Sequence, residues 1–145
     1  MAQNILRKAV FTDITQVCEI EAESINSWTY SQFTEELDRA FSCFIVAEES
    51  GIITGYIIAW IITGEVQINS IAVKKDHRRT GLGTKLLDYL IRQNRSADIT
   101  SVFIDVRKKN TGAVSFYKFY GFVETGIRKK YYGDDDAILM EKRIK

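Results

Sequence analysis

The spacing of apolar residues changes several times along the chain, and each change predicts an element. Ile5 to Phe11 reads as a first strand, after which Thr12 or Asp13 caps a helix carrying Ile14, Val17, Cys18 and Glu21. Thr29 and Gln32 have the spacing of a capping box, so a second, short helix is predicted with Phe33 and Leu37 on its inner side. From Phe41 the period falls to two. Phe41 to Glu48 and Ile52 to Ile62 are predicted strands joined at Ser50-Gly51, a two-residue hairpin signal, and Thr63-Gly64 turns the chain into a fourth strand, Glu65 to Lys74. The longest helix runs from Gly81 to about Arg95, with Leu82, Leu86, Leu87, Leu90 and Ile91 on one face. Thr100 to Val106 follows as a fifth strand, and Thr111 to Tyr120 as a fourth helix stopped by Gly121. Phe122 to Tyr132 and Ala137 to Ile144 are the last two strands, around an acidic turn from Gly133 to Asp136.

Helices interleaved with seven strands make the expected fold α/β (α+β). No repeat or low-complexity linker divides residues 1–145, which predicts one domain. Hydrophobic residues are 46% and charged residues 27%, enough for a soluble core, and no apolar run approaches the ~18 residues that span a bilayer. Met1 to Lys8 lacks the apolar stretch of an export signal, so a cytoplasmic location without a membrane partner is expected. A net charge of +1 argues against a direct nucleic-acid partner, whereas the local clusters at Lys74 to Arg79 and Arg128 to Lys130 suit a small phosphorylated ligand. Cys18 and Cys43 have neither metal-ligand spacing nor the number of a disulfide scaffold; both are expected to be reduced core thiols, and no metal is expected.

The chemistry concentrates in Ile71-Ala-Val-Lys-Lys-Asp-His-Arg-Arg-Thr-Gly-Leu-Gly-Thr84, where a strand feeds a basic turn and then a helix N-terminus. Free backbone N–H groups at a helix start converge on anions, and the helix dipole favours negative charge there. Gly81 and Gly83 lack a Cβ and let phosphates approach the backbone, while Arg78 and Arg79 add charge-assisted donors. Taken alone, Gly-x-Gly is equally a tight strand-to-helix turn. The string is neither a Walker A loop nor a dinucleotide Gly-x-Gly-x-x-Gly. His77, the chain's single histidine, is expected to be solvent-exposed filler in this turn.

The segment resembles the acetyl-CoA signature Arg/Gln-x-x-Gly-x-Gly/Ala of the GNAT superfamily of N-acetyltransferases, on Arg78, Gly81 and Gly83, and the predicted element order is similar over essentially the whole chain. The resemblance implies a mixed, mostly antiparallel seven-stranded sheet flanked by about four helices, with the fourth and fifth strands splayed around the cofactor. It implies acetyl-CoA as co-substrate, held by Ile71, Ala72 and Val73 on the strand and by Arg78, Arg79, Thr80, Gly81, Leu82, Gly83 and Thr84 on the turn and helix. Asp105-Val-Arg-x-x-Asn110, Ala113, Phe116-Tyr117, Gly121-Phe122, Tyr131-Tyr132 and Asp136-Ala-Ile-Leu-Met140 resemble the RimI branch, which acetylates protein N-termini, with a ribosomal-protein alanine as the best-known target. Trp28-Thr29 is similar to that branch's Pro-Trp-Ser, with Ser27 in place of the proline.

The same resemblance implies that Tyr117 is the general acid facing the thioester sulfur, although a helix tyrosine there could equally pack on the sheet. Asn110 implies a second cofactor contact besides its own fitness as a helix N-cap. Asp105 stands where the branch carries glutamate, about 1.5 Å shorter, so it acts as base directly or through water, or else anchors Arg107. Glu65, at the start of the fourth strand, is the backup base. Trp28, Asp105, Tyr131 and Tyr132 are the implied substrate contacts, alternation sending the two tyrosines to opposite faces. The acidic residues Asp134 to Asp136 are a solvated turn or a lure for a cationic N-terminus. The chain is expected to act as a monomer or weak homodimer. A small-amine or polyamine acetyltransferase, and a non-catalytic acyl-CoA-binding module, remain the alternatives.

Overall fold

The computed structural model describes residues 3–22 and 28–144, so Ser27 lies outside the described residues. In chain order the elements are β1 (Ile5–Lys8), α1 (Ile14–Ala22), α2 (Tyr30–Asp38), β2 (Ser42–Glu49), β3 (Ile52–Ile62), β4 (Glu65–Val73), α3 (Leu82–Gln93), β5 (Ser101–Arg107), α4 (Thr111–Tyr120), β6 (Val123–Arg128) and β7 (Ala137–Arg143). The strands form one sheet in the order β1-β2-β3-β4-β5-β7-β6. Every neighbouring pair is antiparallel except β4 and β5, which are parallel. This is the mixed seven-stranded sheet with four helices that the sequence predicts.

Strand alternation sorts the core into two layers. Ile45, Ala47, Ile57 and Ala59 face Leu82, Leu86, Leu87 and Leu90 of α3 and Tyr117 of α4. Their sequence neighbours Phe44, Val46, Tyr56 and Ile58 face Ile14, Val17 and Ile20 of α1 and Phe33 of α2. Both cysteines are free and only partly buried, at the margins of these layers rather than inside them.

In β4 the alternation breaks. Ile58 opposes Ser70 and Ala59 opposes Ile68, so Asn69 is an extra residue with no partner on β3. A one-residue bulge exchanges the faces of everything after it. Val66 and Ile68 belong to the α3/α4 layer; beyond the bulge Ile71 and Val73 continue it, and Ser70 and Ala72 turn to the α1/α2 layer.

Local signals hold where the chemistry is local. Thr29 Oγ1 accepts from Gln32 N at 3.2 Å and Gln32 Oε1 accepts from Thr29 N at 2.8 Å, the reciprocal capping box. Ser50 and Gly51 both have positive φ, the backbone that a two-residue hairpin needs. Two boundaries differ from the prediction. Ile5 to Phe11 is a strand only to Lys8, because Phe11–Asp13 is a 3-10 turn leading into α1. Asp13 does not cap α1 from outside; it sits inside the run and accepts from the N–H of Val10 at 2.8 Å. Likewise β6 ends at Arg128, not Tyr132, because the following residues are folded into a turn.

Asp13 also ties β1 to α1. Its two oxygens accept from Arg7 Nη1 at 2.8 Å and Nη2 at 2.9 Å, and the residue is 5% exposed. Burial alone would raise this carboxyl, but Arg7 and the Val10 N–H outweigh it and hold it below the usual aspartate range. A carboxyl depressed by folding stabilises the folded state above its unfolded pKa of about 3.9, and that contribution is lost as pH falls through the lower folded value. Asp13→Asn should therefore cost about 1–3 kcal/mol at pH 7, as expected for a buried charge-assisted pair. In urea melts the gap between variant and wild type should close below about pH 4; a gap unchanged at low pH would refute the assignment.

Candidate active site

The parallel ladder between β4 and β5 covers only Glu65–Ile68 against Ser101–Ile104. Past that point β4 stays paired with β3 as far as Val73, while β5 stays paired with β7 as far as Arg107. Each strand is held by its outer neighbour and released by the other, so the sheet opens between them. This is the splay that the family resemblance implies.

A cavity of about 330 Å³ occupies the opening. Its walls take Gln67 to Ile71 from β4, Ile104 to Arg107 from β5, Asn110, Ala113 and Tyr117 from the following segment, and Trp28, Tyr131 and Tyr132 from loops. Tyr117 belongs to the α3/α4 layer, whereas Trp28 packs with the α1/α2 layer, stacked on Phe33 at 5.2 Å. One cavity thus reaches both faces of the sheet.

On the α3/α4 side Tyr117 is 3% exposed and packs edge-on against Phe116 and Phe122. Among the described residues its hydroxyl has no hydrogen-bond partner, and burial pushes its pKa well above the usual phenol value. It therefore keeps its proton throughout the physiological range. Asn110 caps α4, its Oδ1 accepting from Ala113 N at 3.1 Å.

The α1/α2 side is polar. Asp105 lines the cavity, and among the described residues its carboxylate has no hydrogen-bond or ion-pair partner. The alternative role of anchoring Arg107 is taken by other groups: Arg107 pairs with Asp134 at 3.4 Å and stacks its guanidinium 4.3 Å from the centre of the Tyr132 ring. Two buried side-chain donors, Asn69 Nδ2 and Arg107 Nε, have no partner among the described residues, and both residues line this cavity. Gln67, Asn69, Ser70 and Arg107 were not singled out from the sequence as site residues. The apolar phase break between Val66/Ile68 and Ile71/Val73 was the signal that could have marked β4 as bulged there.

Tyr131 and Tyr132 are not alternating strand residues. They lie in the turn after β6, packed edge-to-face at 5.0 Å, and both reach the cavity. Tyr132 OH donates to the Asp105 carbonyl at 3.3 Å. The turn is shaped by its own acids. Asp135 is 7% exposed and accepts from Lys109 N at 2.9 Å, and Asp136 accepts from Lys130 N at 2.8 Å. Asp135 and Asp136 thus clasp the turn from within, while Asp134 meets Arg107 from a side chain that is 78% exposed, so the run is solvated only at that residue.

Glu65 requires a correction. It stands exposed at the far end of β4, opposite Ser101 and four residues from the level of Asp105, about 13 Å along the strand. It does not line the cavity, and its placement removes it as a base.

The phosphate turn lies outside the cavity, on the surface beside α4. Ala72 and Val73 lead into it, and Arg78 Nε donates to Val73 O at 3.0 Å. Arg79 (φ 61°) and Thr80, whose hydroxyl donates to His77 O at 2.7 Å, complete the bend. Gly81 has φ 82°, a left-handed conformation that favours glycine, and it offers no side chain to cap α3. The first intrahelical bond there is Lys85 N to Gly81 O at 3.1 Å, which leaves the N–H groups of Leu82, Gly83 and Thr84 without helical acceptors. The Leu82 side chain itself is in the core. Gly83 serves packing, because a Cβ there would meet the Phe116 ring at 3.1 Å. His77 is not filler: its Nδ1 lies 2.9 Å from Asp76 and its Nε2 2.9 Å from Glu49. The Asp76 contact does most to raise its pKa, burial opposes the rise and Glu49 adds to it, and the Glu49 contact ties the turn to the end of β2.

Proteins of known kind share this arrangement. The crystal structure of the ribosomal-protein-S18-alanine N-acetyltransferase from Escherichia coli superposes with a TM-score of 0.88 at 27% identity, covering 98% of this chain and 94% of that one. Ard1 from Thermoplasma volcanium gives a TM-score of 0.90 at 28% identity over 98% of both chains. An N-alpha-acetyltransferase of Sulfurisphaera tokodaii (strain DSM 16993 / JCM 10545 / NBRC 100140 / 7) is 33% identical over 93% of this chain and 90% of its own. The acetyltransferase (GNAT) family model matches residues 10–122, and the chain belongs to that family.

Proposed function

We propose that the protein transfers the acetyl group of acetyl-CoA to the N-terminal α-amino group of a protein, with a ribosomal-protein alanine as the first candidate and the cytoplasm as the setting. The observation that carries this reading is the through-sheet cavity, which joins a dry, protonated phenol on one face to an unpartnered carboxylate on the other. Relatives named for alanine and N-alpha acetylation support the substrate class.

The residues present fit the cofactor. Leu82, Gly83 and Thr84 offer free N–H groups, and Arg78 and Arg79 add positive charge, so a pyrophosphate would rest at the start of α3. Ile71 to Val73 and Asn110 flank the path from there to the sheet opening, and Tyr117 lies at its end. Acetyl-CoA would supply an activated acetyl group and a thiolate leaving group that takes up a proton as it departs.

This chain's residues do the rest. Asp105 accepts the proton of the incoming amine, directly or through one water. An α-amine with a pKa near 7.7–8.0 is about one tenth neutral at pH 7, so a modest base suffices. Tyr117 donates to the departing sulfur from the opposite face. Asn69 and Arg107 line the cavity beside Asp105 and make its wall polar. Trp28, Tyr131 and Tyr132 wall the approach.

Mass spectrometry of peptides with a free N-terminal Ala or Ser should show a mass increase of one acetyl group in the presence of acetyl-CoA. Turnover of polyamines without any N-terminal acetylation would overturn the substrate class, and binding of acetyl-CoA without turnover of any amine would overturn catalysis. Tyr117→Phe should lower kcat at least about tenfold, within the ~10²–10⁴ range of acid–base assistance, while calorimetric acetyl-CoA affinity stays near wild type. Because burial raises the Tyr117 pKa, its ionisation should impose no falling limb on the rate below about pH 10. Asp105→Asn should lower kcat/KM most at pH 6, with the deficit narrowing as pH rises towards 8 and the amine loses its proton unaided. A deficit equal at every pH would show that Asp105 only shapes the cavity.

A further inference from the structure

Behind the β4 wall of the cavity, on the α1/α2 face, a chain of buried polar groups takes no part in the steps above. Ser70 lines the cavity and is 4% exposed. Its Oγ lies 2.8 Å from Tyr56 OH, and Tyr56, fully buried on β3, hydrogen-bonds in turn to the carboxylate of Glu21, which is 3% exposed on α1. Glu21 also faces the N–H of Trp28 at 3.5 Å. The Asn69 bulge makes this possible, since without the extra residue Ser70 would share the face of Ile68 and point away from Tyr56.

The chemistry at the far end sets the direction of every bond in the chain. Tyr56 OH donates to the Glu21 carboxyl group. Burial and the neighbouring Glu21 raise the Tyr56 pKa, which keeps that proton in place. Having spent its one proton, the Tyr56 oxygen can only accept, and Ser70 must donate to it. The Ser70 oxygen is then left with lone pairs and no proton to offer the cavity. A hydroxyl, ordinarily indifferent between donor and acceptor, is turned into an obligate acceptor by a carboxylate two groups away.

We infer that Ser70 is the acceptor that orients the substrate's α-amine, with Tyr56 and Glu21 as positioning residues that fix its polarity. The inference rests on the N-terminal acetyltransferase reading and adds a residue to it. Ser70 and Asp105 stand on the two strands that bound the opening. An amine between them gives one N–H to Ser70 Oγ and the other to Asp105, which turns the nitrogen lone pair into the gap, towards the acetyl donor. No proton needs to pass along the buried chain.

The test compares a peptide beginning with alanine and the same peptide with a propionyl group in place of that alanine, which lacks only the amine. Both are titrated calorimetrically into enzyme saturated with coenzyme A, so that no turnover occurs. Wild type should prefer the amine. Ser70→Ala should shrink that preference about tenfold, the size of one hydrogen bond to a charged or strongly polar partner, with the melting temperature and the KM for acetyl-CoA unchanged. Tyr56→Phe, which frees the Ser70 proton, should shrink it likewise. If Ser70→Ala does not fold, Ser70→Cys keeps the volume with a poor acceptor and should give the same loss. A folded Ser70 variant with the wild-type ratio overturns the role of Ser70, and a Tyr56→Phe enzyme with the wild-type ratio overturns the control of its polarity. Wild-type enzyme that acetylates no peptide N-terminus refutes instead the function on which the inference rests.

Discussion

The site depends on one constraint: β4 cannot satisfy β3 and β5 along its whole length. It carries an extra residue, Asn69, against β3, and its ladder to β5 ends at Ile68 and Ile104, one residue before that bulge. A bulge bends its strand and increases the local twist. With β5 pulled the other way by seven pairs to β7, the two central strands part. Strand termini in a buried sheet would normally leave unpaired backbone groups at a cost. Here those groups face a cavity and a surface groove, where a ligand can meet them.

An opening through the sheet does more than hold ligands. It places two groups in different environments a short distance apart. Tyr117 approaches through the apolar α3/α4 layer, where burial keeps it protonated. Asp105 approaches from a polar wall, half-exposed and, among the described residues, without a partner. The start of α3 lies on one side of this opening, and Trp28, Tyr131 and Tyr132 line it from the loops.

The walls of this opening are fixed by polar contacts that lie far apart in sequence. Asp135 reaches Lys109 across the β5–α4 connection, Arg107 is clamped between Asp134 and Tyr132, and Gly83 leaves room for Phe116 so that α3 and α4 can meet. Asp135 and Asp136 accept from backbone N–H groups of Lys109 and Lys130, which is why a charge run that reads as solvent-facing is partly buried.

Legibility followed the range of the interactions. The Thr29/Gln32 capping box, the apolar face of α3, both hairpin turns and the free helix N-terminus after Gly81 depend on residues within a turn of one another, and periodicity and residue type specified them. The motif order specified the family as well. By contrast, Phe11 and Tyr131–Tyr132 read as strand because they are aromatic and β-prone, but neither finds a neighbouring strand to pair with, and pairing rather than propensity decides a strand. Glu65 and Asp105 are both acids on adjacent strands; the parallel register alone puts one at the closed end and one at the opening. The bulge left a trace in the phase of Val66, Ile68, Ile71 and Val73, yet its consequence, a serine turned onto a buried tyrosine and glutamate, belongs to three elements at once. The sequence by itself determined the elements, their order and the uncapped start of α3, because those rest on local geometry. Which polar groups stand unpartnered at the opening was decided only by the tertiary structure, because a partner is a matter of distance in space.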